Sequence, residues 1–237
     1  KGLVVGYSHS SICYWDLRKF FHKKTFLNND FPSPDLYALN GKLSQDIFQK
    51  NEIDKKKILK IEATRYQYLS HYIKSKYAKK NCKEQNKMQG FNLLVVCDYN
   101  EYFTKKQLEI ISILDKYILK KFSITIKPHP ASIKNFHKFN INKFPITNKP
   151  MSELIKNIDL VFLSSTTSAA LEFYSLGIET ICLLDQDTLN LSPLRNIKDI
   201  KFVSNFAQFR DALIKYQPKN SENSKISIKD IFYLEKN

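Results

Sequence analysis

The sequence contains no uninterrupted apolar segment long enough to cross a membrane as a helix, although 43% of its 237 residues are hydrophobic. A chain of this length and composition can bury a substantial core in one large domain or in two modest ones. Its first residues, Lys1-Gly2-Leu3-Val4-Val5-Gly6, lack a starting methionine and the layout of a signal peptide. They read as a strand that is already under way, and we therefore expect the chain to begin inside a domain.

Cysteine is scarce, and the four that occur form no Cys-x-x-Cys pair. Cys97 and Cys182 lie inside apolar strand patterns, where a free thiol behaves as a small hydrophobic side chain. The spacing therefore indicates neither a zinc site nor a disulfide framework, and it fits a reducing, cytoplasmic setting.

Positive charge is abundant: 38 Lys and Arg stand against 23 Asp and Glu, a formal net charge of +15. Such a charge favours nucleic acid, an anionic membrane surface or acidic substrates as partners. However, Lys, Asn and Ile are abundant together and glycine is scarce, a bias that also arises from base composition in the coding DNA. The basic residues are scattered and show no arginine-rich or glycine–aromatic RNA-binding signature. We therefore expect a solvated lysine surface, then peripheral attraction to the inner membrane, and no specific nucleic acid.

Strands alternate with helical patterns along the chain, and this alternation predicts an α/β fold with parallel sheets flanked by helices. A polar stretch ends near Gly90, where a fresh strand begins. We therefore predict two Rossmann-like units, the first of them incomplete. The predicted parts are the first unit with its linker at 1–89, the second unit at 90–217 and a tail at 218–237. In the second unit, the helical spacing predicts one helix over Lys105–Lys121, capped by Thr104.

The most informative segment lies between Asp159 and Leu184. Its apolar run breaks into five consecutive hydroxyl residues, Ser164-Ser165-Thr166-Thr167-Ser168, which we call the hydroxyl cluster, and a helical pattern from Ala169 to Leu176 follows. Free amides at a helix N-terminus and the positive end of its dipole favour a phosphate, and hydroxyl groups add hydrogen bonds. The same cluster is also typical of simple helix capping.

A second motif, Lys127-Pro128-His129-Pro130, ends another short strand. Ligands of open parallel sheets bind beyond the carboxyl ends of the strands. The cationic Lys127 and the titratable His129 are therefore expected to face the same crevice as the hydroxyl cluster. A stiff turn without a binding role is the alternative interpretation of this motif.

With these two motifs, the second unit resembles nucleotide-sugar glycosyltransferases of the two-Rossmann-domain (GT-B) architecture. Sialyltransferases and Kdo transferases that use CMP-activated sugars carry a Lys/Gln-x-His-Pro motif and a Ser-Ser or Ser-Thr motif in their C-terminal domain. The chain is also similar, from Gly6 to Leu213, to bacterial surface carbohydrate biosynthesis proteins of O-antigen type. The segments that carry this similarity are His9-Ser10, Tyr14-Trp15-Asp16, Asn40-Gly41, Glu62-Ala63-Thr64-Arg65-Tyr66 and Leu189-Asn190-Leu191-Ser192-Pro193-Leu194-Arg195.

The resemblance implies a glycosyltransferase that moves a sugar, foremost an acidic sugar from a CMP-activated donor, to a glycan or glycolipid acceptor. Lipopolysaccharide, O-antigen and capsule are the surface polysaccharides concerned. The resemblance implies that His129 contacts the donor phosphate and that Lys127 holds charge nearby. The residues implied to bind the same phosphate are Ser164, Ser165, Thr166 and Thr167. No cofactor is implied, because the nucleotide-sugar donor is itself a substrate.

The remaining expected roles concern the nucleoside, the acceptor and the sugar. Glu172 would accept hydrogen bonds from ribose hydroxyls, or be a solvated helix residue, and Arg195 would line the nucleotide pocket. His9, with Asp16 as the alternative, would be the base that activates the acceptor hydroxyl, unless His9 is structural. Arg65 would bind an acidic sugar carboxylate in bidentate fashion, or form an ion pair with Glu62 at the hinge.

Several alternatives stay open. Asp185-Gln186-Asp187 is an Asp-x-Asp sequence, which holds a divalent metal in a different transferase architecture; we expect a solvated acidic loop and no catalytic metal. Polyol-phosphate polymerases of teichoic acid type also use a GT-B scaffold and a His-Pro motif, with CDP-glycerol as donor. The charge alone would fit a non-catalytic binder of nucleic acid or anionic surfaces. The first strand, if exposed, would allow a homodimer.

Overall fold

The computed structural model describes residues 2–14, 32–72, 90–131, 141–218 and 231–234. Contacts divide the chain into two compact units, one formed by Lys1–Lys79 with Lys225–Asn237 and the other by Lys80–Ser224. Each unit contains a parallel sheet with helices, and the predicted α/β class with two Rossmann-like units is confirmed. Within the ranges given above, no helix is long and apolar enough to span a membrane.

The first unit contains a parallel sheet of three strands in the order β1-β2-β3. The strands are β1 at Val5–Tyr7, β2 at Leu36–Leu39 and β3 at Ile58–Lys60, and helix α1 spans Lys42–Lys50 between β2 and β3. Alternation along β2 directs Tyr37 and Leu39 to one face, where they pack with Ile12 and with Ile47 and Phe48 of α1. This face holds the core of the unit.

The last described residues, 231–234, also belong to the first unit, and we call them the C-terminal strap. The Tyr233 amide donates to the Asn40 carbonyl at 2.9 Å, and the Tyr233 carbonyl accepts from the Ala63 amide at 2.7 Å. The strap therefore ties together the loops that follow β2 and β3.

Side-chain packing also holds the strap in place. The Phe232 ring stacks on the buried Tyr66 ring, with centroids 3.9 Å apart. The backbone of Ile231 approaches Gly41 so closely that a Cβ atom at position 41 would lie 1.8 Å from the Ile231 carbonyl oxygen. Glycine is required there because the two backbones are in contact.

Gly41→Ala is expected to release the strap, because the added methyl group would overlap the Ile231 carbonyl. Faster amide hydrogen exchange at 231–234 measures the release. Gly2→Ala is the matched control, since nothing lies within 4 Å of its Cβ position. Native exchange rates in Gly41→Ala would contradict the close approach.

The second unit contains a parallel sheet of five strands in the order β5-β4-β6-β7-β8. The strands are β4 at Phe91–Val96, β5 at Phe122–Lys127, β6 at Leu160–Ser164, β7 at Glu179–Leu183 and β8 at Lys201–Val203. The helices are α2 at Glu101–Ser112, α3 at Lys116–Lys121, α4 at Met151–Leu154, α5 at Ala169–Ser175 and α6 at Phe206–Ile214. Because β4 has β5 on one side and β6 on the other, the strand order reverses at β4, and such a reversal opens a crevice beyond the carboxyl ends of the strands.

The central strands of this sheet are covered on both faces. Every residue of β6 is buried, as expected of a parallel strand with an apolar run instead of an alternating pattern. On one face, Phe162 packs against Phe209 of α6 with ring centroids 4.1 Å apart. Leu108 and Ile111 of α2 complete the same core cluster.

The start of α2 differs from the prediction. Its cap is Asn100, whose side chain accepts from the Tyr102 amide at 2.9 Å, and not Thr104. Thr104 lies inside the helix, where its hydroxyl donates to the Asp98 carbonyl at 3.0 Å. The hydroxyl of Thr104 therefore ties α2 to the loop that follows β4.

The predicted single helix over Lys105–Lys121 is also wrong, because the segment forms two helices. The Asp115 carboxylate accepts from the Ile118 amide at 3.0 Å and so begins α3 as a new helix. An Asp side chain that bonds a nearby amide competes with continuation of the helix.

Candidate functional site

The carboxyl edge of the second sheet brings the two predicted motifs to neighbouring positions. His129 follows β5, Ser164 ends β6, and β4 lies between these strands. Adjacent strands are about 4.8 Å apart, so the motifs are separated by two strand spacings, or roughly 10 Å. Segments that lie far apart in the sequence therefore meet at one edge.

The loop after β4 contacts both motifs. The Asp98 carboxylate accepts from the hydroxyls of Ser164 and Thr166, the latter at 2.6 Å, and from the Asn100 amide at 2.7 Å. The next residue, Tyr99, places its ring edge-on to His129 with centroids 5.6 Å apart. Sequence reasoning missed Asp98, whose one sequence signal was an acidic residue directly after a buried strand.

Burial divides the hydroxyl cluster into two parts. Ser164 and Ser165 are 0% exposed, whereas Thr166, Thr167 and Ser168 are half-buried. The Ser164 hydroxyl donates to Asp98, and a hydroxyl has a single proton to donate. The Ser165 hydroxyl has no hydrogen-bond partner within the described part of the chain. The part of the cluster that a ligand can reach is therefore Thr166 to Ser168, at the start of α5.

The side chains of His129 and Lys127 form hydrogen bonds with different parts of the chain. The half-buried His129 accepts at Nδ1 from the Ala131 amide at 3.2 Å, so a neutral imidazole carries its proton on Nε2. The Lys127 ammonium donates to the Lys149 carbonyl at 2.7 Å, and burial lowers its pKa. Lys127 therefore holds the loop before α4, and its contact with a phosphate stays a prediction.

Glu172 and Arg195 are both shielded from solvent to some degree. Glu172 lies in the first turn of α5 and is only 6% exposed, so the alternative of a solvated helix residue is wrong. The half-buried Arg195 follows a turn in which the Ser192 hydroxyl accepts from the Leu194 amide at 3.1 Å. Their predicted contacts with a nucleotide stay predictions.

His9 and Arg65, the two predicted site residues of the first unit that the structure describes, are exposed. His9 lies just beyond β1, and the Arg65 guanidinium stands 5.8 Å from the centroid of the Tyr66 ring. Glu62, the proposed ion-pair partner of Arg65, accepts a hydrogen bond from Gln67 at 2.9 Å. Asp16 lies outside the described residues, as does Trp15.

Asp185, which follows β7, is held by two side chains of α2. The Lys106 ammonium lies 2.6 Å from Asp185 Oδ2, and the Tyr102 hydroxyl donates to the same oxygen. Asp185 is only 4% exposed, so the expected solvated acidic loop is wrong for this residue, although Asp187 is exposed. Among the residues the structure describes, no group of three His, Cys, Asp or Glu could hold a metal ion.

The hydrogen bonds of this pair shift both ionisations. The Lys106 hydrogen bond is the main cause that lowers the Asp185 pKa, and the Asp185 hydrogen bond is the main cause that raises the Lys106 pKa. Because its pKa is lowered by folding, Asp185 stabilises the folded protein at pH values above the pKa that it has in the unfolded chain. This stabilisation is lost as pH falls through the pKa of Asp185 in the folded protein. The raised Lys106 pKa adds stability at lower pH, and this is lost as pH rises through its folded pKa.

Lys106→Met is therefore expected to lower the free energy of unfolding at neutral pH, with a deficit that shrinks in acid. The deficit shrinks as pH falls toward the lowered pKa of Asp185, because a protonated carboxyl group no longer pairs with the Lys106 ammonium. Urea unfolding across pH 3 to 8 measures it. Lys105→Met is the control, because the exposed Lys105 lies 3.9 Å from Glu109 in a surface ion pair that contributes little. A deficit that is constant with pH would contradict the pairing.

No family model and no curated protein sequence matches the chain. Its fold is similar to UDP-GlcNAc 2-epimerase from Neisseria meningitidis bound to UDP-GlcNAc, with 15% identity and a TM-score of 0.58 over 98% of this chain and 65% of that one. The epimerase from Methanocaldococcus jannaschii, in complex with UDP-GlcNAc and UDP, gives 16% identity and a TM-score of 0.56 over 83% and 59%. A variant of the wall teichoic acid polymerase TagF with CDPG gives 14% identity and a TM-score of 0.53 over 80% and 49%.

The chain spans about half to two thirds of the length of these proteins. At identities this low the likeness establishes the fold alone. It extends over the two Rossmann-like units that the GT-B resemblance predicted.

Proposed function

We propose that the chain is the nucleotide-binding part of a carbohydrate-active transferase of GT-B type that uses a nucleotide-activated donor. One observation carries the proposal. The loop after β4 contacts both His129 and the hydroxyl cluster at the point where the strand order reverses. Such a reversal is where open parallel sheets bind nucleotides. The solved structures with UDP-GlcNAc and with CDPG support the same ligand class.

In this proposal the donor phosphate binds between His129 and the accessible part of the hydroxyl cluster. His129 donates to a phosphate oxygen from Nε2, and Thr167 and Ser168 add hydroxyl donors beside the first amides of α5. Thr166 has its hydroxyl bonded to Asp98 and therefore acts by positioning this loop. Glu172 and Arg195 complete the nucleoside side of the pocket.

The reaction breaks the bond between the donor sugar carbon and the phosphate oxygen. The phosphate leaves with the bonding electron pair, and the acceptor hydroxyl oxygen forms the new bond to the sugar while its proton passes to a base. His9 and Asp16 of the first unit are the proposed bases. Donors aimed at the leaving phosphate lower the barrier, and the loss of one such donor costs about 100-fold or more in rate.

A second candidate reaction is transfer of a polyol phosphate, favoured by the fold likeness to the wall teichoic acid polymerase with CDPG. There the acceptor hydroxyl attacks phosphorus, the polyol phosphate moves, and the nucleotide leaves as a monophosphate. Mass spectrometry of the acceptor separates the two, because only the second reaction adds phosphorus. A glycan or glycolipid acceptor belongs to the first reaction.

Calorimetric titration of the 237-residue chain with CMP, CDP, UMP and UDP tests the proposal. We expect binding by at least one of these nucleotides. His129→Ala is expected to weaken it about 10- to 100-fold, because hydrogen bonds to charged groups contribute roughly 1.5–3 kcal/mol. His71→Ala, at an exposed position of the first unit, is the control.

Two results would refute this function. One is the absence of binding by every nucleotide, and the other is equal binding by His129→Ala and the unchanged protein. Affinity for unrelated DNA that falls steeply with salt, without nucleotide binding, would favour the nucleic-acid alternative.

A further inference from the structure

A cavity of about 270 Å³ opens at the carboxyl ends of β7 and β8. It lies along the same edge of the sheet as the hydroxyl cluster, beginning at the strand next to β6. Its lining includes Asp185 and Gln186 from the loop after β7, with Phe202, Ser204 and Gln208 from β8 and the start of α6. The volume is slightly below the usual range of ligand pockets, roughly 300–1,000 Å³, and suits one ring or a short chain.

A row of hydrogen bonds joins the exposed side chains of Gln186 and Gln208, both of which line this cavity. Gln186 Nε2 donates to the Ser204 hydroxyl at 3.4 Å, and that hydroxyl donates to Gln208 Oε1 at 3.1 Å. Gln208 Oε1 also accepts from the Ser204 amide at 2.8 Å. The row leaves the Gln186 carbonyl oxygen as an acceptor and the Gln208 amide nitrogen as a donor, both without a partner within the described residues.

Asp185 adds a buried carboxylate to the lining. Its two side-chain partners, Lys106 and Tyr102, both meet Oδ2, so the charge of the carboxylate is balanced from the α2 side. A carboxylate only accepts hydrogen bonds, and it repels another anion. Together with the acceptor oxygen of Gln186, this carboxylate favours a ligand that donates hydrogen bonds.

We infer that this cavity binds a neutral polyhydroxyl group, either a sugar ring or a short polyol, carried by the nucleotide-activated donor. A hydroxyl group donates and accepts at once, and so it can satisfy both Gln186 and Gln208. A carboxylate group on the ligand could satisfy only Gln208. The half-exposed Phe202 ring offers an apolar surface to the carbon face of such a group. The inference deepens the proposed function and in this form rests on it.

The sharpest variant is Gln208→Glu. It keeps an oxygen to accept from the Ser204 amide at the start of α6, and it removes the amide donor from the cavity. Gln186→Leu removes the acceptor at the other end of the row. Gln217→Glu, at an exposed position of the same unit, is the control for the added charge.

The measurement compares the affinity for CDP-glycerol with that for CDP, and the affinity for UDP-N-acetylglucosamine with that for UDP. At least one neutral group is expected to add affinity to its nucleotide. Gln208→Glu and Gln186→Leu should each weaken the binding of that ligand about three- to tenfold, which is the effect of losing one neutral hydrogen bond. Both variants should leave the binding of CDP and UDP unchanged. Gln217→Glu should leave all four affinities unchanged.

The inference fails while the proposed function stands if nucleotides bind and neither cavity variant alters the affinity of a neutral donor. It also fails if the sialic acid group adds more affinity to CMP than the neutral groups add to their nucleotides. That result would assign the acidic sugar to the site.

A second arm decides the case in which no nucleotide binds and the proposed function has failed. The Gln208 side-chain amide signals in a nitrogen–proton spectrum are identified by their loss in Gln208→Glu. Saturable shifts of these signals with glycerol or N-acetylglucosamine would uphold the cavity as a polyol site. No shift at high concentrations of both would overturn it.

Discussion

The pairing of β4 with β5 on one side and β6 on the other is the constraint on which the candidate site depends. Val96 is the register partner of both Lys127 and Leu163, so the three strands end within one residue of the same level. The groups that follow them therefore start from one line along the edge of the sheet. A slip of one residue would turn the side chains of a strand to the opposite face and separate Asp98 from Ser164.

The buried Asp98 carboxylate gives this edge a second property. Removing a carboxylate from water is costly unless hydrogen bonds replace its solvation, and the hydroxyls of Ser164 and Thr166 with the Asn100 amide supply them. Part of the hydroxyl cluster therefore serves the protein itself, and the remainder is available to a ligand. A single run of similar residues thus combines a structural part with a part that stays accessible.

Local signals in the sequence predicted the central unit closely. The expected strand Leu160–Leu163 matches β6 to within one residue, and the expected helix from Ala169 begins where α5 begins. The apolar run and the polar break after it are properties of neighbouring residues, which a pattern can show. The edge shared by His129 and the cluster followed from the rule for parallel sheets.

Contacts between distant residues were beyond such patterns. Asp98 and Ser164 are separated by 66 positions, and Lys106 and Asp185 by 79. The direction of the Lys127 side chain depends on where a later segment of the chain returns beside β5. The motif around Lys127 does not encode the position of that segment. The break before Asp115 was missed because apolar spacing continued across it, while a carboxylate began a new helix.

The contact of Phe232 with Tyr66 has a consequence for biosynthesis. The partner ring leaves the ribosome only after the whole of Lys80–Ser224 has been translated, although Tyr66 belongs to the unit that is made first. At ordinary elongation rates this interval is on the order of ten seconds. The unit that is synthesised later can complete its sheet at once, whereas the earlier one waits for its last aromatic side chain, so the order of completion is the reverse of the order of translation.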